Sequence, residues 1–163
     1  MRIAIGSDEQ TALTDTVIAD LEKRGHVVLK NGPLAGGPLM WPAAARAVGE
    51  AVASGKADEG ILFCWTGTGV SMAANKIPVV RAALCDDAET ARGARLWNNA
   101  NVLCMSLRRT AAPVAKEILE AWFAASYQPN PEDDACLADL SDLERRSRTS
   151  DEPPGAGSAH RPA

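Results

Sequence analysis

Histidine is nearly missing from this sequence: of 163 residues only His26 and His160 carry an imidazole. Cysteine is sparse as well. Cys64, Cys85, Cys104 and Cys136 lie 21, 19 and 32 residues apart without a C-x-x-C pair. That spacing argues against both a zinc site and a disulfide framework. No apolar run approaches the roughly 18–20 residues that cross a bilayer. Met1-Arg2-Ile3-Ala4-Ile5-Gly6 enters a strand-like pattern without the layout of a signal peptide. A cytoplasmic protein with no membrane partner is therefore expected. There is no long Lys/Arg run, and 17 basic against 21 acidic residues leave a net charge of −4. Such a balance offers no footprint for nucleic acid, so a small-molecule ligand is the better expectation. Internal repeats and coiled-coil heptads are absent too.

What the chain does have is alternation. Through residue 127 short apolar runs exchange with longer Ala-rich segments of helical period, the pattern of a parallel sheet with crossover helices. Strands are expected near Ile3–Ile5, Val27–Lys30, Ile61–Phe63, Ala82–Leu84 and Val102–Met105. Helices are expected near Thr14–Arg24, Pro42–Ser54, Val70–Asn75, Ala88–Leu96 and Ala112–Ala125. Gly25 and Gly55 stand where helices end, and Pro42 where a first-turn proline loses no hydrogen bond. The fold class is α/β: a three-layer α/β/α sandwich around a Rossmann-like, five-stranded parallel sheet. A short helix over Asp134 to about Arg145 completes one domain, 1–145. Residues 146–163 lack large apolar side chains and are expected to be a disordered tail, which makes His160 a poor catalytic group.

Ligands of such sheets bind beyond the carboxyl ends of the strands, so the residues there matter most. After the third strand comes Cys64-Trp65-Thr66-Gly67-Thr68-Gly69-Val70-Ser71-Met72-Ala73-Ala74-Asn75-Lys76. A Gly-rich turn entering a helix aims backbone N–H groups at an anion. As a dinucleotide fingerprint it is incomplete, because Met72 occupies the place of the third glycine and only Asp86-Asp87 supplies a following acid. The plain alternative is a tight turn whose glycines allow close packing. Cys64 sits at the mouth of this turn, where N–H groups would favour its thiolate. Cys85 and Cys104, also at strand ends, read by default as small buried residues. Asp8 after the first strand could bind ligand hydroxyls or cap the loop into the first helix.

These residues resemble a known family. Gly6-Ser7-Asp8, the block from Gly60 to Lys76, Arg81-Ala82-Ala83-Leu84-Cys85, Ala91-Arg92 and Asn98-Asn99-Ala100-Asn101-Val102-Leu103 are similar to ribose-5-phosphate isomerase B and the galactose-6-phosphate isomerase subunits. The resemblance covers about residues 1–125. It implies a cofactor-independent aldose–ketose isomerase, without metal, that moves a proton between C1 and C2 through a cis-enediolate. It implies that Cys64 is the base, that Thr66 orients it, and that the N–H groups of Gly67, Thr68, Gly69, Val70 and Ser71 hold the enediolate oxygen. It further implies that Asp8 binds sugar hydroxyls, that Arg108 binds phosphate, and that Asn98 reaches the pocket from a second subunit. A homodimer or tetramer with shared sites follows.

Several positions depart from the family pattern. Glu9 and Trp97 stand where the family has the histidines that assist phosphate binding and ring opening, and His26, on the approach to the second strand at the far edge of the sheet, can fill neither task. Met40-Trp41-Pro42 replaces Asp-Tyr-Pro, Trp65 replaces a glycine, and Asn130-Pro131-Glu132-Asp133-Asp134 replaces an Arg-rich segment. Trp41, Trp65 and Trp97 are candidate substrate-packing groups. Two enzyme readings follow: a sugar phosphate other than ribose 5-phosphate, such as a tetrulose 4-phosphate, or an unphosphorylated hydroxy-ketone in a specialised pathway. A third is a non-catalytic sugar-binding subunit.

Overall fold

Side chains of the almost wholly buried strands β1, β3 and β5 alternate in direction and divide the interior of this protein into two faces. The computed structural model describes residues 1–149. Its elements run β1 (Arg2–Ser7), α1 (Ala12–Lys23), β2 (Val27–Asn31), a 3-10 turn (Gly32–Ala35), α2 (Trp41–Ala53), β3 (Glu59–Cys64), α3 (Thr68–Ala74), β4 (Ala82–Leu84), α4 (Ala88–Leu96), β5 (Val102–Ser106), α5 (Ala112–Ala124) and α6 (Pro131–Thr149). The strands form one parallel sheet in the order β2-β1-β3-β5-β4. Ile3, Ile5, Ile61, Phe63, Leu103 and Met105 point to the face covered by α1, α4 and α5. Ala4, Leu62, Cys64, Val102 and Cys104 point to the face covered by α2 and α3. The three-layer α/β/α sandwich read from the sequence is the observed fold. No helix among the described residues is long and apolar enough to cross a membrane.

All five expected strands and all five expected helices are present, four of them crossovers and α5 following the last strand, and the differences lie at helix starts. Helix α1 begins two residues earlier than the periodicity suggests, because Thr11 caps it. The Thr11 side chain accepts from the Thr14 backbone N–H while the Thr14 hydroxyl accepts from Thr11 N–H, so Asp8 is not the cap. Among the described residues the chain divides into two units, Met1–Gln128 and a second that begins at Pro129. In the second, α6 starts at Pro131 rather than Asp134 and extends past Arg145, so residues 146–149 are helical rather than part of a tail. Its start is set by Asn130, whose side-chain oxygen accepts from Asp133 N–H at 2.9 Å, with proline at the first position. Asp142 then pairs with Arg145 at 3.0 Å and with Arg146 at 2.6 Å. The rest of the expected tail, including His160, lies outside the described residues.

At the amino end of the sheet three side chains far apart in sequence form a buried polar cluster. Glu59, 5% exposed, accepts from the indole N–H of fully buried Trp122 at 2.6 Å and pairs with Arg95 at 2.7 Å. The Arg95 guanidinium lies 5.0 Å from the Trp122 ring centre and donates to the Ala100 carbonyl. Burial pushes the Glu59 carboxyl up, against the pull of Arg95 and the Trp122 hydrogen bond. The folded chain thus holds this proton more tightly than the unfolded one, so Glu59's contribution to stability falls as pH rises from its unfolded pKa through its folded pKa. Glu59→Ala should leave Arg95 charged and Trp122 unpaired in the interior. A loss of about 3–5 kcal/mol in urea-denaturation stability is expected, as for other broken buried pairs, with Glu59→Gln less affected.

Candidate active site

The sheet order places β1 and β3 side by side where the connections change direction, the crevice such folds use for ligands. Register pairs Ser7 with Phe63 and Cys64 with Ser106. Cys64 therefore emerges between Asp8 on one side and the end of β5 on the other. It is 6% exposed, packed among Leu62, Val70, Ala74 and Cys104.

The residue before each functional position shapes the local chain. Fully buried Ser7 donates its hydroxyl to the Glu9 carbonyl at 2.6 Å and accepts from Glu9 N–H, closing a tight turn around Asp8. The half-buried Asp8 carboxylate has no hydrogen-bond partner among the described residues and is open to a ligand. After Cys64 the chain reverses at Gly67, whose φ of 76° is left-handed. A Cβ there would also lie 2.5 Å from Leu84 Cδ1 and 3.0 Å from the Met105 carbonyl, so glycine is required twice over.

The turn offers fewer donors than the motif suggests. Gly67 N–H is taken by the Cys64 carbonyl at 3.1 Å, and Ser71 N–H by the Gly67 carbonyl at 3.2 Å. Thr68, Gly69 and Val70 form the first turn of α3, where N–H groups find no acceptor within the helix. The expected five-donor hole thus narrows to these three. Thr66, expected to orient Cys64, shares its hydroxyl with Thr68 at 2.6 Å. Trp41, at the first position of α2, lays its ring on this turn: a Cβ on Gly69 would sit 3.1 Å from it. Trp65 is 60% exposed beside Cys64.

Arg108 reaches the same edge on the loop after β5, where its N–H donates to the Trp65 carbonyl at 3.0 Å. Its guanidinium is exposed and has no partner among the described residues. Arg109 leans towards Asp86 at 3.6 Å. Asp87 caps α4 through Thr90 N–H, which gives the acidic pair structural employment and removes its support for a dinucleotide. Cys85 and Cys104 are inert: both are fully buried, with burial pushing the Cys85 thiol to about 12 and the Cys104 thiol higher still.

Trp97 and Asn98 are not brought to Cys64 within one chain. They follow α4, at the amino end of the sheet, where neighbouring Asn99 accepts from Arg81 just before β4. The Trp97 ring folds back on its own helix, so that a Cβ on Gly93 would meet it at 2.5 Å. His26 lies at the same end, its ring tilted against that of Phe123 with centres 4.7 Å apart and beside the amino terminus.

A family model described as Ribose/Galactose Isomerase matches residues 3–136. The chain belongs to this family of sugar-phosphate isomerases. It is 35% identical over 144 residues to the galactose-6-phosphate isomerase subunit LacB of Clostridium acetobutylicum, covering 88% of this chain and 83% of that subunit. It is 36% identical over 131 residues to the D-erythrulose-4-phosphate isomerase of Pectobacterium atrosepticum, covering 78% and 86% of the two chains. Ribose-5-phosphate isomerase B of Clostridium thermocellum superposes with a TM-score of 0.84 at 35% identity, over 90% of this chain and 99% of that one.

Some residues in the stretches that signal the ribose/galactose isomerase family serve the sheet rather than the site. The Asn75 side-chain amide bridges the Ala82 backbone in both directions at 2.8 Å, and Asn101 likewise bridges Arg81 N–H and the Val79 carbonyl. Asn75 thus satisfies the free edge of short β4, while Asn101 ties the chain just before β4 to the start of β5.

Proposed function

We propose that this protein is a cofactor-independent aldose–ketose isomerase acting on a sugar phosphate other than ribose 5-phosphate, with a tetrulose 4-phosphate as the best fit. The carrying observation is Cys64 at the β1/β3 crevice, between the unpaired Asp8 carboxylate and the three open N–H groups of Thr68, Gly69 and Val70. In this reading the Cys64 thiolate removes a carbon-bound proton next to the carbonyl, giving a cis-enediolate. The developing oxyanion is held by the three N–H groups, donors fixed before charge appears. The hydroxyl proton passes between the two oxygens of the intermediate, and Cys64 returns the carbon-bound proton to the neighbouring carbon, so that carbonyl and hydroxyl have exchanged places. Asp8 binds substrate hydroxyls, Thr66 supports the base through its turn, and Arg108 receives the phosphate as a charged hydrogen-bond donor.

Trp97 favours the short sugar. A tetrulose that carries phosphate on its terminal oxygen cannot close a furanose, so it needs no ring-opening histidine. The test is incubation with D-erythrulose 4-phosphate, with aldose formation followed by NMR. The exposed rings of Trp41, Trp65 and Trp97 favour the second reading, an unphosphorylated hydroxy-ketone. Turnover of such compounds, with none of the tetrulose phosphate, would replace the first reading.

The active assembly in this account is a homodimer with two shared sites, because Asn98 and Trp97 stand at the opposite end of the sheet from Cys64 in one chain. Cys64→Ala and Asn98→Ala proteins, each inactive, should regain activity when mixed under subunit exchange. Random hybrids carry one intact site in half of the dimers, about a quarter of the normal site count. Demonstrated exchange without recovery would overturn the shared site.

A further inference from the structure

We propose that Ser106 is a positioning residue for the Cys64 turn, acting through the Trp65 carbonyl. The inference rests on the reading of Cys64 as the base. Ser106 closes β5 directly beside Cys64 in the sheet register and is 5% exposed. Its hydroxyl donates to the Trp65 carbonyl at 2.9 Å and accepts from Arg109 N–H at 3.2 Å. The direction is forced, since a backbone N–H can only donate and the single hydroxyl proton is left for Trp65.

The surrounding bonds make this contact a clamp. Leu107 N–H donates to the Cys64 carbonyl and Arg108 N–H to the Trp65 carbonyl, each at 3.0 Å. Two consecutive carbonyls of the base-bearing turn are thus tied to the loop carrying Arg108. Every tie is backbone to backbone except the one from Ser106, which is also the only one a side-chain change can remove. Without it the Trp65 peptide keeps one of its two donors, and Arg109 N–H loses its acceptor. The peptide plane at Trp65 leads through Thr66 into left-handed Gly67, so a tilt there moves both the Cys64 side chain and the N–H groups of Thr68, Gly69 and Val70. Reactions of this kind are sensitive to displacements of an ångström or less.

The experiment compares the full-length protein with Ser106→Ala, Ser106→Thr and Cys64→Ala. Turnover of D-erythrulose 4-phosphate, thermal melting and the rate of Cys64 alkylation by iodoacetamide, read by peptide mapping, are measured for each. Ser106→Ala is expected to lower kcat roughly tenfold with KM changed by less than about threefold. It should also speed alkylation of Cys64 severalfold while melting close to the parent. Ser106→Thr, which keeps the hydroxyl, should recover both. A folded Ser106→Ala protein with parental kcat and alkylation rate overturns the proposal, as does a folded Ser106→Thr protein as impaired as the alanine variant. If the parent does not turn over this sugar, the alkylation rates alone decide in the same sense. Turnover surviving in Cys64→Ala would refute the base and leave the alkylation result to report on the clamp.

Discussion

Cys64→Ala is expected to lose roughly 10²–10⁴ of kcat, the range typical when a positioned acid–base group is removed, with the fold intact. The cavity left is small, because Cys64 loses one sulfur at the margin of the crevice rather than a large core side chain. Cys85→Ala and Cys104→Ala should behave in the opposite way. Their thiols are fully buried and held protonated by burial, so stability should fall modestly while turnover persists. Steady-state kinetics beside thermal melts of the three variants separates the roles. Parental turnover in the Cys64 variant would remove it as the base.

The second large effect concerns substrate choice. Ribose 5-phosphate presents mainly closed rings, and opening them calls for a proton donor and acceptor. Trp97 has an indole N–H that donates but no group that titrates near neutral pH. Losing acid–base assistance at that step costs about 10²–10⁴, and the cost falls only on sugars that cyclise. Glu9 adds a negative charge next to Asp8, where the family places a phosphate-assisting histidine. A charged hydrogen bond is worth roughly 1.5–3 kcal/mol, so its loss weakens phosphate binding by about one to two decades. The expected result is a kcat/KM for D-erythrulose 4-phosphate at least about a hundredfold above that for ribose 5-phosphate. Glu9→His combined with Trp97→His should raise ribose 5-phosphate turnover measurably, the first change acting on KM and the second on kcat. Efficient ribose 5-phosphate turnover by the parent protein would show that other groups fill both roles.

How much of this was legible in the sequence differs from element to element. The strands declare themselves because β3 and β5 are buried along their whole length and read as continuous apolar runs. Helix starts are harder, since Thr11 and Asn130 act through their caps and not through hydrophobic period. The site's address was legible too, in the Gly-rich turn after β3 and in Asp8 after β1. Its wiring was not. That Gly67 N–H is already used by Cys64, or that the Thr66 hydroxyl turns to Thr68, depends on dihedral angles that no residue identity encodes. The Glu59–Trp122 bond joins residues 63 apart, and the Trp97 ring settles on Gly93 because only glycine leaves room. The Asn75 and Asn101 bridges show the reverse case: a strong motif can mark backbone pairing around a short strand as readily as a reactive group.

Solvent hydrogen exchange during turnover tests the central claim most directly. The protein is incubated with D-erythrulose 4-phosphate in deuterium oxide, and the product and recovered substrate are analysed by NMR and mass spectrometry. Proton transfer through Cys64 predicts deuterium on the carbon next to the carbonyl, formed by the parent protein and lost with Cys64→Ala. Turnover in which the aldose keeps the original hydrogen entirely, with no solvent deuterium on carbon, would point to a direct hydride shift and contradict the account.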